Sequence, residues 1–185
     1  IREYSDVVDK MMSVDECINS VEETGAPVAC ITGGEPLLHP QIQDIVEGIL
    51  ANHHFVFLAS NGLLLKSSLS KFKPGPYFSF VIHMDGLAQN HDRITNREGM
   101  FDIALDAIKA AKAAGFQVRT NTTIYKGVDP SEVLQLFRIL GDVGVDGIMV
   151  SPAFSYEAVK DSSVFLTRQE FRDLFRAIDD SGNGV

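Results

Sequence analysis

The groups able to do chemistry in this 185-residue sequence fall in five short runs. They are Thr32-Gly33-Gly34-Glu35-Pro36, Ser60-Asn61-Gly62, His83-Met84-Asp85-Gly86, Asn121-Thr122-Thr123 and Ser151-Pro152. Carboxylates, hydroxyls, amides and an imidazole are the hydrogen-bonding groups that a polar small molecule requires. Gly33 and Gly34 let a ligand come close to the backbone, and Pro36 stiffens the way out. Neither a Gly-x-Gly-x-x-Gly dinucleotide fingerprint nor a Walker loop is present. Each run taken singly is ordinary turn chemistry, because Gly, Asn, Ser and Asp are the usual turn and cap residues. All five together favour a polar small-molecule site.

What must position these runs is an alternation of strands and helices. Strands are expected at 28–32, 55–59, 77–84, 116–122 and 147–151, which are rich in β-branched and aromatic residues. Apolar residues recur at helical spacing between them. Val14, Cys17, Ile18 and Val21 follow a Ser13–Glu16 capping box, and Ile42, Ile45, Val46 and Ile49 follow Pro40. A short helix is expected over 63–69, a strong one over 101–114, and another after Asp129-Pro130 through Leu140. A second capping box, Thr167–Glu170, precedes a helix over 171–178. This order predicts a parallel sheet covered by helices. Each polar run then ends a strand, on the rim where such folds gather function. An open doubly wound sheet and a barrel both satisfy the pattern.

Composition narrows the function classes. Sixteen Lys and Arg against 25 Asp and Glu leave a net charge of −9, which argues against nucleic acid as a partner. Apolar runs are only a few residues long, too short to span a membrane. Ile1-Arg2-Glu3-Tyr4-Ser5 lacks the apolar stretch of a signal peptide. The hydrophobic content of 45% supports a single domain over 1–185. Two cysteines, Cys17 and Cys30, are too few for a disulfide scaffold and suit a reducing, cytoplasmic setting. A first residue Ile1 and a helix as first element read as an incomplete domain, missing an initial strand.

Thr32-Gly33-Gly34-Glu35-Pro36-Leu37-Leu38 resembles the signature of radical S-adenosylmethionine (radical SAM) enzymes, where it contacts the methionyl amino group. Ser60-Asn61-Gly62, the 83–86 run and Asn121 fall where that superfamily has its later strand motifs. The sequence is most similar to the hopanoid-biosynthesis branch, the adenosylhopene transferases. Residues 25–28, 33–40, 71–74, 76–78, 83–87, 107–112, 120–123 and 144–157 carry that likeness, along nearly the whole chain.

The resemblance implies a partial (βα)6 TIM-like barrel, here truncated, and two cofactors, S-adenosylmethionine and a [4Fe–4S] cluster. It implies reductive cleavage of S-adenosylmethionine to a 5′-deoxyadenosyl radical that adds to a hopene-type or other apolar substrate. It also implies an electron donor such as flavodoxin or ferredoxin. Contact with a membrane surface stays open, since a polycyclic hydrocarbon would suggest it but no basic amphipathic anchor is present.

Carried over by position, the cofactor-binding residues are Gly33, Gly34, Glu35, Pro36, Ser60, Asn61, His83, Asp85, Asn121, Thr123 and Ser151. Glu35 and the Gly33–Gly34 backbone would accept from the ammonium. Ser60 and Asn121 would bond the carboxylate or ribose, and His83 stands in the place of a frequent serine. Residues 150–153 would line the adenine. No residue of the chain is expected to act as a catalytic acid, base or nucleophile, nor as a metal ligand, because the cofactor carries the chemistry. Phe78, Phe80 and Phe154 suit an apolar cavity, with core packing the more ordinary reading.

The sequence departs from the family at two places. The Cys-x-x-x-Cys-x-x-Cys motif that holds the cluster does not occur. Cys17 and Cys30 have the wrong spacing and are expected in the core, so loss of the upstream loop explains the absence. The hopanoid branch reads Cys-Thr-Asn-Ala where this chain reads Ala59-Ser60-Asn61-Gly62, and a methyl group cannot quench a product radical as a thiol would. Two other functions compete: a metal-dependent hydrolase using His83, Asp85, His91 and Asp92, and a barrel piece without catalysis.

Overall fold

The structure, a computed structural model, describes residues 11–153 and 164–181. Its first helix begins where Ser13 can cap it. Ser13 Oγ accepts from the Glu16 N–H at 3.3 Å, while the Ser13 N–H donates to Glu16 Oε2 at 2.7 Å. This capping box starts α1 (Val14–Thr24), and Gly25 ends it with a left-handed φ of 61°. The later elements are β1 (Val28–Ile31), α2 (Ile42–Ala51), β2 (Phe55–Ser60), α3 (Leu65–Ser68), β3 (Phe78–His83) and α4 (Ala88–Thr95). They continue with α5 (Met100–Ala113), β4 (Gln117–Ile124), α6 (Pro130–Val143), β5 (Gly147–Pro152) and α7 (Arg168–Ser181). Thr167 and Glu170 exchange bonds of 2.7 and 3.2 Å as the second capping box.

All five strands run parallel in the order β1-β2-β3-β4-β5 and form a half-barrel. This bears out the α/β reading and the five expected strands. It follows from strand chemistry: alternate residues point to opposite faces, and one face is apolar enough to hold helices. Val56, Leu58, Phe78, Phe80, Ile82 and Val118 are almost fully buried beneath Ile45 and Ile49 of α2, Ala104 and Ile108 of α5, and Leu136 and Leu140 of α6. Phe72, Phe78, Phe80 and Phe116 stack within it, with centroids 4.8–6.1 Å apart. Each buried ring stabilises by about 1.5–3 kcal/mol. Phe78 and Phe80 are therefore core residues, and Phe154 lies outside the described residues.

The opposite, concave face is formed by Cys30, Phe57, Ala59, Ser79, Val81, His83, Arg119, Asn121, Thr123, Met149 and Ser151, by register. Cys30 corrects an expectation. It is exposed on this face rather than packed in the core, because its neighbour Ala29 takes the helix-facing position. Cys17 does pack against the core from α1. Helix α4 was not foreseen, since it has no apolar stripe: His91 is its only buried residue. Strand β4 also runs two residues further than expected, through Thr123 and Ile124.

Two local features set stability. Thr120 and Thr122 point toward the helices, and their hydroxyls are buried without a partner. Removing an unsatisfied hydroxyl stabilises, so Thr120→Val is expected to add about 1 kcal/mol. A urea midpoint that falls rather than rises would refute this. At the other rim, His54 Nδ1 donates to Ala26 O at 2.7 Å and Nε2 to Glu22 Oε1 at 2.8 Å. The Glu22 bond first, and the Ala26 carbonyl second, raise the His54 pKa above 6.5. A raised folded value means stability that is whole below 6.5 and lost as pH climbs through the higher folded pKa. Urea unfolding should therefore show a decline above pH 6.5 that His54→Gln reduces; an equal decline in the variant would remove His54 as its source.

Candidate functional site

After β1 the chain turns at Gly33, whose φ of 144° is cheap only for glycine. No atom lies within 4 Å of where a Cβ would stand on Gly33 or Gly34, so this stretch of backbone is open to a ligand. Glu35 follows as the cap of a 3-10 turn, Pro36–Leu38, its Oε1 accepting from the Leu37 N–H at 3.1 Å. Its Oε2 accepts from the Ser60 hydroxyl at 3.1 Å and from the Asn61 N–H at 3.0 Å. The carboxylate thus ties the tip of β1 to the tip of β2. Ser60 is buried on the helix-facing side, and its Oγ also accepts from the Gly62 N–H at 3.1 Å. Its hydroxyl is thus engaged within the rim, donating to Glu35 and accepting from Gly62. Asn61 Oδ1 is likewise used, accepting from the Leu63 N–H at 2.9 Å.

At the next two tips the register sets His83 beside Asn121, and Thr123 beside Ser151. His83 Nε2 forms an ion pair with Asp85 Oδ2. The Asp85 carboxylate has no exposed surface, and its Oδ1 accepts from the Thr123 N–H at 2.7 Å. Asp85 and the Thr123 backbone are thus engaged with each other at the rim. His83 is 39% exposed, and the amide of Asn121 has no partner among the described residues. These two remain available on the concave face, together with the open Gly33–Gly34 backbone. Ser151 is half-buried beside Thr123, and the Ala153 N–H donates to Ile124 O at 2.9 Å, which fixes the end of β5.

The hydrolase alternative does not assemble. His91 Nδ1 accepts from the Asp85 N–H at 3.1 Å, and burial lowers its pKa and keeps it neutral. Asp92 turns the other way and receives the N–H groups of Gly99 at 2.6 Å and Phe101 at 2.9 Å, at the start of α5. Among the described residues no three His, Cys, Asp or Glu side chains could share a metal.

One holding residue had no signal in the sequence. Glu132 of α6 accepts from the Leu87 N–H at 3.1 Å and from Asn90 Nδ2 at 2.7 Å, pinning the loop after β3. Its partners lie 45 and 42 positions away. Gly86, with φ 144°, gives this loop room, since a Cβ there would stand 3.2 Å from Glu132 Oε1.

Asp85→Asn keeps the size of the buried side chain but removes the charge that faces His83. It is expected to cost about 1–3 kcal/mol in chemical denaturation and to release the His83 ring. Unchanged stability together with an unchanged His83 NMR signal would show that Asp85 does not hold this tip.

Comparison with known proteins converges on one superfamily. The family model described as the radical SAM superfamily matches residues 3–140. The GTP 3′,8-cyclase of Aquifex aeolicus is 27% identical over 135 residues, covering 71% of this chain and 42% of that protein. The AdoMet-dependent heme synthase of Methanosarcina barkeri is 29% identical over 129 residues, covering 69% of this chain and 37% of that one. The chain spans less than half the length of these curated relatives. Among solved structures, SuiB of Streptococcus suis superposes with a TM-score of 0.80 at 14% identity, over 94% of this chain and 41% of that one. SuiB bound to S-adenosylmethionine gives 0.76 at 15% identity, with 94% and 41% covered. At such identities the likeness is one of fold. The family model bears out the superfamily expectation, while these relatives are named for a cyclase and a heme synthase, so the hopanoid branch does not follow from them. With more than half its length matched by the family model, the chain belongs to the radical SAM superfamily.

Proposed function

We propose that this chain is the S-adenosylmethionine-binding part of a radical SAM enzyme, a single incomplete domain that works within a longer protein. Enzymes of the superfamily use S-adenosylmethionine and a [4Fe–4S] cluster, and they need a reductant; a flavodoxin or ferredoxin would serve here. The observation that carries the proposal is the division of labour at the strand tips. Glu35 and Asp85 are held inside the rim as ties, while His83 and Asn121 stand on the concave side and the Gly33–Gly34 backbone at the same rim is open.

These free groups fit the cofactor. The carbonyls near Gly33 and Gly34 would accept from its ammonium. Glu35, with three of about four acceptor positions used, retains one that reinforces them. The Asn121 amide would bond the carboxylate or ribose without adding net charge, and residues 150–153 would flank the adenine. When bound, the cofactor supplies a 5′-deoxyadenosyl radical; the protein orients it and keeps water away.

The cluster is a different matter. The chain has only two cysteines, one on α1 and the other on β1, and they do not make a thiolate set for it. Its ligands would come from residues that this sequence does not contain.

The finer reading is addition of the radical to the alkene of a hopene-type or other apolar substrate, in hopanoid-like biosynthesis in the cytoplasm. It is supported by the sequence likeness along the chain and by the apolar residues Phe57, Ala59, Val81 and Met149 on the concave face. Ala59 matters most there. A cysteine at its position would face the same side as Val81, so its replacement by a methyl group leaves the product radical to another quencher. Among the described residues no helix is long and apolar enough to cross a membrane.

The test has two arms. Calorimetric titration should show S-adenosylmethionine binding that Asn121→Ala weakens about tenfold, or about 1.4 kcal/mol, while the exposed Gln43→Ala leaves it alone. Equal binding by both variants would take Asn121 out of the site. After anaerobic reconstitution with iron and sulfide, the 185-residue chain should form no 5′-deoxyadenosine. A longer protein bearing Cys-x-x-x-Cys-x-x-Cys should form it. Robust cleavage by the chain alone would overturn the assignment of the ligands to other residues.

A further inference from the structure

On the concave face, Arg119 makes no ion pair among the described residues. Arg119 stands on β4 between Val81 and Gly147 in register, two residues below Asn121. That spacing sets it about 7 Å deeper than the rim. Its Nε is buried and has no hydrogen-bond partner, and none of the ion pairs among the described residues includes it. The guanidinium lies over the Phe57 ring, 5.2 Å from its centroid. Gly147 makes room for it: a Cβ there would stand 2.8 Å from Arg119 Nη1. Arg119 is near enough to Asp146 for its charge to help lower that carboxyl's pKa, but Asp146 Oδ2 accepts from Lys112 Nζ and from the Val118 N–H, both at 2.7 Å, and makes no ion pair with the guanidinium.

Arg119 also borders a cavity of about 240 Å³ whose walls include Phe55, Phe57, Tyr77, Ser79 and Gln117. A partly buried charge beside aromatic rings, with an orphaned donor, is costly unless something pairs with it. A guanidinium is shaped for one class of partner, since its fork matches a carboxylate or a phosphate with two parallel bonds. The chain as a whole carries a net charge of −9 and repels anions in general. An anion held at Arg119 must therefore be held by local geometry.

We infer that Arg119 is the anion-recognising group of a substrate subsite on the concave face, and that the substrate joins an apolar body to a carboxylate or phosphate. The apolar body would lie along Phe57 and the anionic group against the guanidinium. This rests on the reading of the concave face as the substrate side, and it goes beyond that reading, because a bare hydrocarbon would leave the buried Arg119 Nε–H without an acceptor.

The experiment titrates the 185-residue chain with sodium phosphate and, separately, sodium benzoate, with sodium chloride as the control at matched ionic strength. Saturable binding is expected for at least one of the two probes, with a shift of the Arg119 Nε–H NMR signal in the unaltered protein. The probe that binds names the anion class. Arg119→Met should weaken that binding at least tenfold, Arg119→Lys should keep a weaker part of it, and Gly147→Ala should weaken it by crowding the guanidinium. No saturable binding by either probe, or equal binding by Arg119→Met, would overturn the inference. So would displacement of the bound probe by S-adenosylhomocysteine, which would assign Arg119 to the cofactor. S-adenosylmethionine titrated alongside separates the two proposals. Its binding without the anion's removes only the subsite, and the anion's without it removes only the cofactor reading.

Discussion

The rim of this half-barrel depends on a buried carboxylate. Asp85 has no exposed side-chain surface, and it sits at the end of β3 within reach of the Thr123 backbone N–H on β4. By accepting from the Thr123 N–H and facing His83, it binds the tips of β3 and β4 into one unit. An ionised group in such a place is costly unless each oxygen finds a partner. Asp85 finds two, and in doing so it decides which way His83 is turned. Whatever His83 does on the concave face, it does from an orientation set by a buried residue.

The same logic recurs at either side. Glu35 bridges β1 to β2, and Glu132 reaches from α6 to the loop after β3. In each case a carboxylate accepts backbone N–H groups from a segment distant in sequence. A parallel sheet makes this necessary. Its strands are joined through helices, so adjacent tips have no short turn between them and need side chains to hold their spacing. A consequence is that acidic residues in the polar runs divide into ties and ligands only by geometry. Glu35 and Asp85 look alike in the sequence as candidates for binding; in the structure both are spent mainly on the scaffold.

Much of the fold was legible because local signals agreed. Both capping boxes, the apolar stripes of α2, α5 and α6, and five β-rich runs each point to the same architecture. The sheet closure was not legible from periodicity, and it came from the family likeness. Helix α4 escaped because it is mostly polar, with no apolar stripe, and is held by Glu132 and by Asn96 in the left-handed region. Cys30 was misplaced for a related reason. A four-residue apolar run does not say which of its alternate members faces the helices, and in β1 it is Ala29 that does. The positions of the site residues along the chain were readable, because strand ends are; the direction of Ser60 into the sheet was not. One residue off in a strand is the other face.

The concave face itself has a chemical gradient. At the rim are glycines, an imidazole and an amide. One layer down, Ala59, Val81 and Gly147 stand beside Arg119 in a single register row. The small and apolar neighbours in this row, Ala59, Val81 and Gly147, offer the guanidinium no side-chain acceptor. Gly147 is informative because glycine costs stability within a strand. Any larger side chain there would press on Arg119 Nη1, which gives that cost a reason. On the proposed reading, a polar upper layer at the rim and a layer beneath it carrying Arg119 would let one fold keep its radical source fixed while the lower row selects what the radical meets. By this logic, differences between members of the superfamily should concentrate at positions such as 59, 119 and 147, whereas the ties at Glu35 and Asp85 answer to the scaffold.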